Sequence, residues 1–319
     1  MGMKFQIKKK EFWTLNMGIT QSLLSSYLEC RQKANLAYKE GWSSTQVSNP
    51  LVFGTLFHEC LDRSYKFMRH DGKFSGINWD NMVDNVLKDY KEKFVEDGGI
   101  WTPENEENHI LNEGYIKILL PEYFKRYWKD DSKKEWLAIE KEFKVQYQDG
   151  VYLRGKYDRI AQEKEDIVIY DTKTKGRLDP NFQDGATFNL QMMFYVYAYW
   201  KETGKLAKRF VFDIVKRPGL RKGAMETLQH FMERVKGDVG PDYFQRIPIA
   251  ILEDEFQYWV GYEFKHMMDS VWQWAIHGPT YRNPTACETR YGICSMLKIC
   301  GLKDFTGLYK RKKPFMELT

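Results

Sequence analysis

The strongest constraint on the fold lies between Leu137 and Arg217, where apolar residues recur at every second position rather than every third or fourth. "AIEKEFKVQYQ" alternates apolar and polar residues, the pattern of a strand with one buried and one wet face. Asp149 and Gly150 supply a hairpin turn, and "VYLRGKYDRIAQ" returns as a second strand. After the polar "EKED" turn, "IVIYDTKT" forms a third strand. A helix over roughly Gly185 to Lys201 and a fourth strand, "KRFVFDIVKR", complete a strand–strand–strand–helix–strand order.

Helical patterns flank this unit. Ser22 to Tyr38, Pro50 to Phe67, Trp79 to Phe94 and Ile110 to Trp128 precede it, with "EDGGIWTPENEEN" read as a polar loop. Lys222 to Val235 and Leu252 to Ile276 follow. The fold class is therefore α/β, a central mixed sheet covered by helices from both ends of the chain. The amino terminus has no apolar core of signal-peptide length, and no apolar run approaches the roughly 20 residues that cross a bilayer. A soluble, cytoplasmic protein without a membrane partner is expected. A net charge of +5 permits a polyanionic ligand without demanding one.

Asp158 stands near the end of the second strand, and Asp171 near the end of the third. Two carboxylates held close together repel unless a cation lies between them, and hard oxygen donors suit Mg2+ or Mn2+. Bringing them together requires a bent strand, for which Gly155 is the candidate. Lys173, two residues beyond Asp171, shares its side of the strand and can orient a water or stabilise phosphoryl charge. A strand-end D-x-K is also what a solvated surface pair looks like. Gln191 and Tyr195 lie four apart on one helix face. His58, in "FGTLFHECLDRSY", offers a nitrogen ligand or an ordinary structural hydrogen bond.

"GTLFHE", "GKYDRI", "IVIYDTKT" and "QMMFY" occur in the order, and at about the separations, of the RecB-like branch of the PD-(D/E)XK nuclease superfamily, which this chain resembles over roughly residues 20–300. The resemblance implies metal-dependent hydrolysis of DNA phosphodiesters. It assigns His58, Asp158, Asp171 and the main-chain carbonyl of Thr172 to the metal, and Lys173 to catalysis beside Asp158 and Asp171. It assigns Gln191 and Tyr195 to the motif after the core strand. Glu140 or Glu142 is a further candidate. The implied organisation is one nuclease domain over 1–319. Within it, 1–136 is the helical amino-terminal part, 137–217 the nuclease core, and 218–319 the carboxyl-terminal helices and cysteines.

Five cysteines suit metal or redox chemistry better than a disulfide framework. Cys287, Cys294 and Cys300 are separated by six and five residues, and Cys30 lies far upstream. Soft thiolates favour an iron–sulfur cluster or zinc; cysteines without metal are the plain alternative. The chain also resembles AddB-type and CRISPR-adaptation nucleases, which bind a 4Fe–4S cluster through one early and three late cysteines. That implies a staple joining the two helical parts through Cys30, Cys287, Cys294 and Cys300. The first late pair is six residues apart here where those relatives have two. Cys60 is read as a small core residue.

Lys216, Arg217, Arg221 and Lys222 in "VKRPGLRKG" are candidates for tracking a DNA backbone. "YKRKKP" is a second basic run, and Trp272, Trp274 and Tyr281 are read as core or base-stacking aromatics. The expected activity is an exonuclease acting on a free or single-stranded DNA end in recombination, repair or phage DNA metabolism. The alternative is a DNA-binding or assembly subunit, weakly active or inactive, of a larger nuclease or CRISPR-type complex. With no phosphate-binding G-x-x-x-x-G-K-[ST] motif, unwinding would need a helicase or recombination partner.

Overall fold

The computed structural model describes residues 12–45, 47–71, 76–178, 181–278, 281–289, 292–304, 307, 309–315 and 318. Most of the amino-terminal stretch considered above for a signal segment lies outside them.

A mixed sheet forms the middle layer. Its strands are β1 (Ile19–Thr20), β2 (Glu135–Gln148), β3 (Val151–Glu163), β4 (Asp166–Lys175), β5 (Arg209–Lys216) and β6 (Phe244–Ala250). β2, β3 and β4 are antiparallel neighbours, β5 runs parallel to β4, and β6 closes the far edge antiparallel to β5. The helices that cover the sheet are α1 (Gln21–Glu29), α2 (Asn49–Asp71), α3 (Trp79–Glu96), α4 (Pro103–Asp131), α5 (Leu190–Thr203), α6 (Leu228–Asp238) and α7 (Lys265–His277).

Each face of the sheet has its own core. Val168, Tyr170, Val211 and Trp136 pack beneath α2, α3, α4 and α6 against Phe57, Tyr65, Leu87, Tyr123 and Phe231. Ile167, Ile169, Phe212 and Phe143 face α1, α5 and α7 and meet Leu24, Phe194, Tyr197 and Val271. Burial on both faces explains why β4 reads as an unbroken apolar run in sequence. Each such buried aliphatic side chain contributes about 1.5–3 kcal/mol relative to exposure. Continued alternation past Tyr170 sends Asp171 and Lys173 to the α5 face and Thr172 to the α2 face.

The architecture matches the sequence expectation, with four local differences. The first helix breaks at Cys30, whose backbone is extended at φ −158° and ψ 115°. α4 begins at Pro103, inside the stretch read as a loop, because Thr102 and Asn105 form a reciprocal capping box ahead of a proline at the first turn. The helix expected from Gly185 restarts at Leu190, capped by Asn189, which accepts from Met192 N. β6 was not expected; its Pro248 is tolerated because this strand is at the edge of the sheet.

Under the α2 face lies a buried polar network. Arg246 grips Asp131 through two bonds, Nη1 to Oδ1 at 2.6 Å and Nη2 to Oδ2 at 2.7 Å. Tyr65 donates to Asp131 at 2.6 Å, and Lys134 at 3.0 Å. Tyr123 receives bonds from Arg246 and Arg159 and donates to Asp213.

Candidate active site

β3 and β4 run as a ladder only as far as Arg159↔Tyr170. Farther back along the same edge of β3, Leu153 and Arg154 pair instead with β1. A fork opens between the two attachments. The amide of Thr172, past the end of the ladder, donates to Asp158 Oδ2 at 2.7 Å. Asp158 thus replaces a missing ladder acceptor, which holds its carboxylate in the fork.

How Asp158 comes to point into the plane of the sheet is a matter of local irregularity. Tyr157 packs on the α5 face, yet Arg159, two residues on, lies under the α2 face with its guanidinium 4.3 Å from the Tyr65 ring centroid. β2 makes the same switch opposite, between Ile139 on the α2 face and Lys141, which pairs with Glu202 of α5. Glu140, between them, has φ 53°, the left-handed conformation that such a reversal needs. The bend expected at Gly155 is therefore three residues farther along β3, at Asp158 opposite Glu140. Gly155 serves packing instead, since a Cβ there would lie 2.6 Å from the Phe143 ring.

Side chains reach the fork from both layers. From β4, Asp171 and Lys173 point to the α5 side, and Lys173 Nζ lies 2.7 Å from Asp171 Oδ2. Gln191, in the first turn of α5, bridges them, accepting from Lys173 Nζ at 2.7 Å and donating to Asp171 Oδ1 at 3.0 Å. Tyr195, one turn later, packs on Phe143 and Tyr157. From the opposite layer, α2 brings His58 Nδ1 to 3.7 Å from Asp158 Oδ2. Gly54, one turn earlier, lets α2 pass close to the end of β4, where a Cβ would lie 2.8 Å from Thr174 Oγ1.

The electrostatics favour a cation. Asp171 is 2% exposed, and its carboxyl is pushed up to about 6 by burial, with Lys173 opposing and Asp158 reinforcing the rise. Its Oδ2 has no directed hydrogen bond despite the nearby lysine. Burial lowers the His58 pKa against the pull of Asp158, so the imidazole is neutral at pH 7 and keeps a lone pair. Two carboxylates, a neutral imidazole and the adjacent Thr172 carbonyl form a hard donor set that fits Mg2+ or Mn2+. Among the described residues, no three acidic, imidazole or thiol groups already converge as a closed metal cage.

Three participants escaped the sequence reading. Asp62, one turn beyond His58 on α2, is buried, and burial together with Glu140 raises its pKa well above the ordinary carboxylate value. Lys156 pairs with Glu140. Arg159 lies under Thr172. The i, i+4 spacing from His58 was the available signal for Asp62; the others gave none. Of the two glutamates considered, Glu140 is the one the geometry ties to this cluster.

The sequence model of the PD-(D/E)XK nuclease superfamily matches residues 19–301. The chain belongs to that superfamily. Among solved structures, a candidate exonuclease from Eubacterium rectale is 15% identical, with 100% of this chain and 99% of that one covered and a TM-score of 0.47. SSO0001 is 11% identical over 82% of this chain and 88% of its own, with a TM-score of 0.26. No curated protein matches the sequence.

In this nuclease the four cysteines from the two chain ends line one small cavity, together with Lys33 and Arg282. All are free thiols. Asn283 N donates to Cys30 Sγ at 3.4 Å, and Cys294 N to the carbonyl of Cys287 at 2.9 Å. Cys60, on the buried side of α2, does not line this cavity, and burial raises its thiol pKa.

The basic loop after β5 starts beside the fork, since Arg217 N donates to the Lys175 carbonyl at 2.7 Å. Its side chains divide. The Arg217 guanidinium is half-buried and packs over the Phe53 and Tyr115 rings. Lys216 lies over Tyr243 and 3.5 Å from Asp242. Arg221 and Lys222 are exposed. Trp274 is buried against Trp13, whereas Trp272 and Tyr281 retain exposed surface. No helix of the described residues is long and apolar enough to cross a membrane.

Proposed function

We propose that this nuclease is a Mg2+- or Mn2+-dependent deoxyribonuclease that hydrolyses phosphodiesters at DNA ends. The observation that carries the reading is the fork itself, where Asp171, Lys173 and Gln191 pair with one another while Asp158 accepts the amide of Thr172, the residue between Asp171 and Lys173. Asp158, Asp171, the Thr172 carbonyl and His58 would hold the cation. Once bound, that cation acidifies a water and offsets charge on the phosphate. Lys173 orients the attacking oxygen or hydrogen-bonds a non-bridging phosphate oxygen. Gln191 fixes Lys173 and Asp171 in one arrangement, while burial beneath α5 keeps competing solvent from the acid. Hydrolysis joins the water oxygen to phosphorus and breaks one P–O ester bond. Lys175, two residues beyond Lys173 on β4, and the exposed Arg221 and Lys222 of the loop after β5 are the cations proposed to meet the DNA backbone.

Attack at DNA ends, rather than at internal phosphodiesters, is inferred from the family resemblance. Linear and covalently closed circular DNA, each single- and double-stranded, separate the modes. Degradation of linear substrates with closed circles left intact is the expected result. Cleavage of circles at a comparable rate would replace the exonuclease with an endonuclease.

We further infer a 4Fe–4S cluster at the cysteine cavity, stapling the amino- and carboxyl-terminal parts, with zinc as the alternative. Four thiols with two cations beside them suit an anionic cluster, and the Asn283 amide on Cys30 sulfur is the kind of contact that stabilises bound thiolate. Anaerobically purified protein is expected to be brown and to contain about four irons per chain. Cys30→Ser and Cys287→Ser are each expected to lose most of that iron. A colourless protein with one zinc would establish the alternative.

A further inference from the structure

Arg159 is 0% exposed and belongs to no ligand set above. Its Nη2 donates both to Thr172 Oγ1 and to Asp213 Oδ2, each at 2.7 Å, and its Nη1 donates to Tyr123 at 3.2 Å. Thr172 and Asp213 are partners in the parallel ladder of β4 and β5, so their side chains stand together beneath the sheet. Asp158 and Arg159, successive residues of β3, therefore grip Thr172 at two points. One takes its amide in the plane of the fork, and the other takes its hydroxyl below it.

That double grip stands where the ladder between β3 and β4 has ended. Asp171 and Lys173, on either side of Thr172, project to the opposite face, so a shift of Thr172 moves both. A buried ion pair such as Arg159–Asp213 is expensive to desolvate, and an apolar pair of similar volume is often at least as stabilising. Its value then lies in specifying geometry.

We propose that Arg159, backed by Asp213, is a positioning residue that locks Thr172 and thereby sets the spacing of Asp171, the Thr172 carbonyl and Lys173. The inference rests on the nuclease reading for its consequences, but not for its structural claim. Thr172→Val removes the hydroxyl acceptor at almost constant volume and leaves Arg159 bound to Asp213 and Tyr123. Thr172→Ser restores the acceptor.

Three readouts test it. Hydrogen exchange of a peptide spanning 168–175 requires neither metal nor DNA; faster exchange is expected in Thr172→Val and near wild-type exchange in Thr172→Ser. Mn2+ affinity without DNA, followed by electron paramagnetic resonance, is expected to fall roughly 10-fold in Thr172→Val, the scale on which contacts behind a metal ligand act. Cleavage is expected to lose about 10- to 100-fold in kcat with KM for DNA little changed, and to recover in Thr172→Ser. Unchanged exchange in Thr172→Val overturns the proposal, as does unchanged Mn2+ affinity, or a serine variant as impaired as the valine. If wild type neither binds Mn2+ nor cuts DNA, the nuclease reading fails and the exchange result alone decides the positioning claim.

Discussion

Lys173→Ala is expected to reduce metal-dependent cleavage by about 100- to 10,000-fold while leaving a folded protein. About one-third of the lysine side chain is exposed, so its removal opens no closed core cavity. On the proposed mechanism it removes the charge that would face the reacting phosphate, a kind of contribution worth about 100- to 10,000-fold in comparable sites. Asp171→Asn is expected to match that loss and to raise thermal stability in metal-free buffer. The sign follows from the pKa. A buried acid lifted to about 6 destabilises the folded state once pH rises above its unfolded value, and the cost grows until pH passes the folded pKa. At pH 7 the amide avoids that cost. Added Mg2+ or Mn2+ should then raise the melting temperature of wild type and not of Asp171→Asn. Equal cleavage by Lys173→Ala and wild type would remove the lysine from the chemistry, and a less stable Asp171→Asn would contradict the electrostatic account.

The second large effect concerns stability rather than chemistry. Arg246→Met is expected to destabilise the fold by about 3–5 kcal/mol, because Asp131 and Asp213 then lose a partner while still buried. Denaturant midpoints measure it. The same pair governs acid behaviour. Burial alone would raise the Asp131 carboxyl, but Arg246, Lys134 and Tyr65 overcome it and hold the group at about 2. A depressed acid stabilises the fold above its unfolded pKa and loses that contribution as pH falls through the folded one. About 2 kcal/mol should therefore disappear between roughly pH 4 and pH 2. Asp131→Asn should flatten the stability profile over that window; an unaltered profile would mean that other groups drive acid unfolding.

The sheet was legible in sequence where burial imposes a simple period. β2 alternates because one face meets α5 and the other is partly wet, and β4 is uniformly apolar because helices cover both faces. β6 was hidden because Gln245, Arg246 and Pro248 look like a loop, although Arg246 points into the buried network and Pro248 sits on an open edge. The start of α4 was hidden by the polar residues that cap it.

The candidate site was legible where its residues are adjacent along one element, as Asp171 and Lys173 are, or where the family resemblance connects them, as with Asp158 and Gln191. Arg159 was not, because its partners Tyr123, Thr172 and Asp213 come from three other elements and make a buried charge tolerable. Arg217 shows the converse. Along the chain it belongs with the exposed Arg221 and Lys222, but its neighbours in space include the Phe53 and Tyr115 rings.

The most direct test of the central claim is cleavage of end-labelled linear DNA by the folded wild-type protein, with Mg2+ or Mn2+ and again with chelator. Chelator-sensitive shortening from an end, lost in Lys173→Ala, is the predicted result. A folded, metal-loaded wild type that cuts none of these DNAs would contradict the account and leave a DNA-binding or assembly subunit in its place.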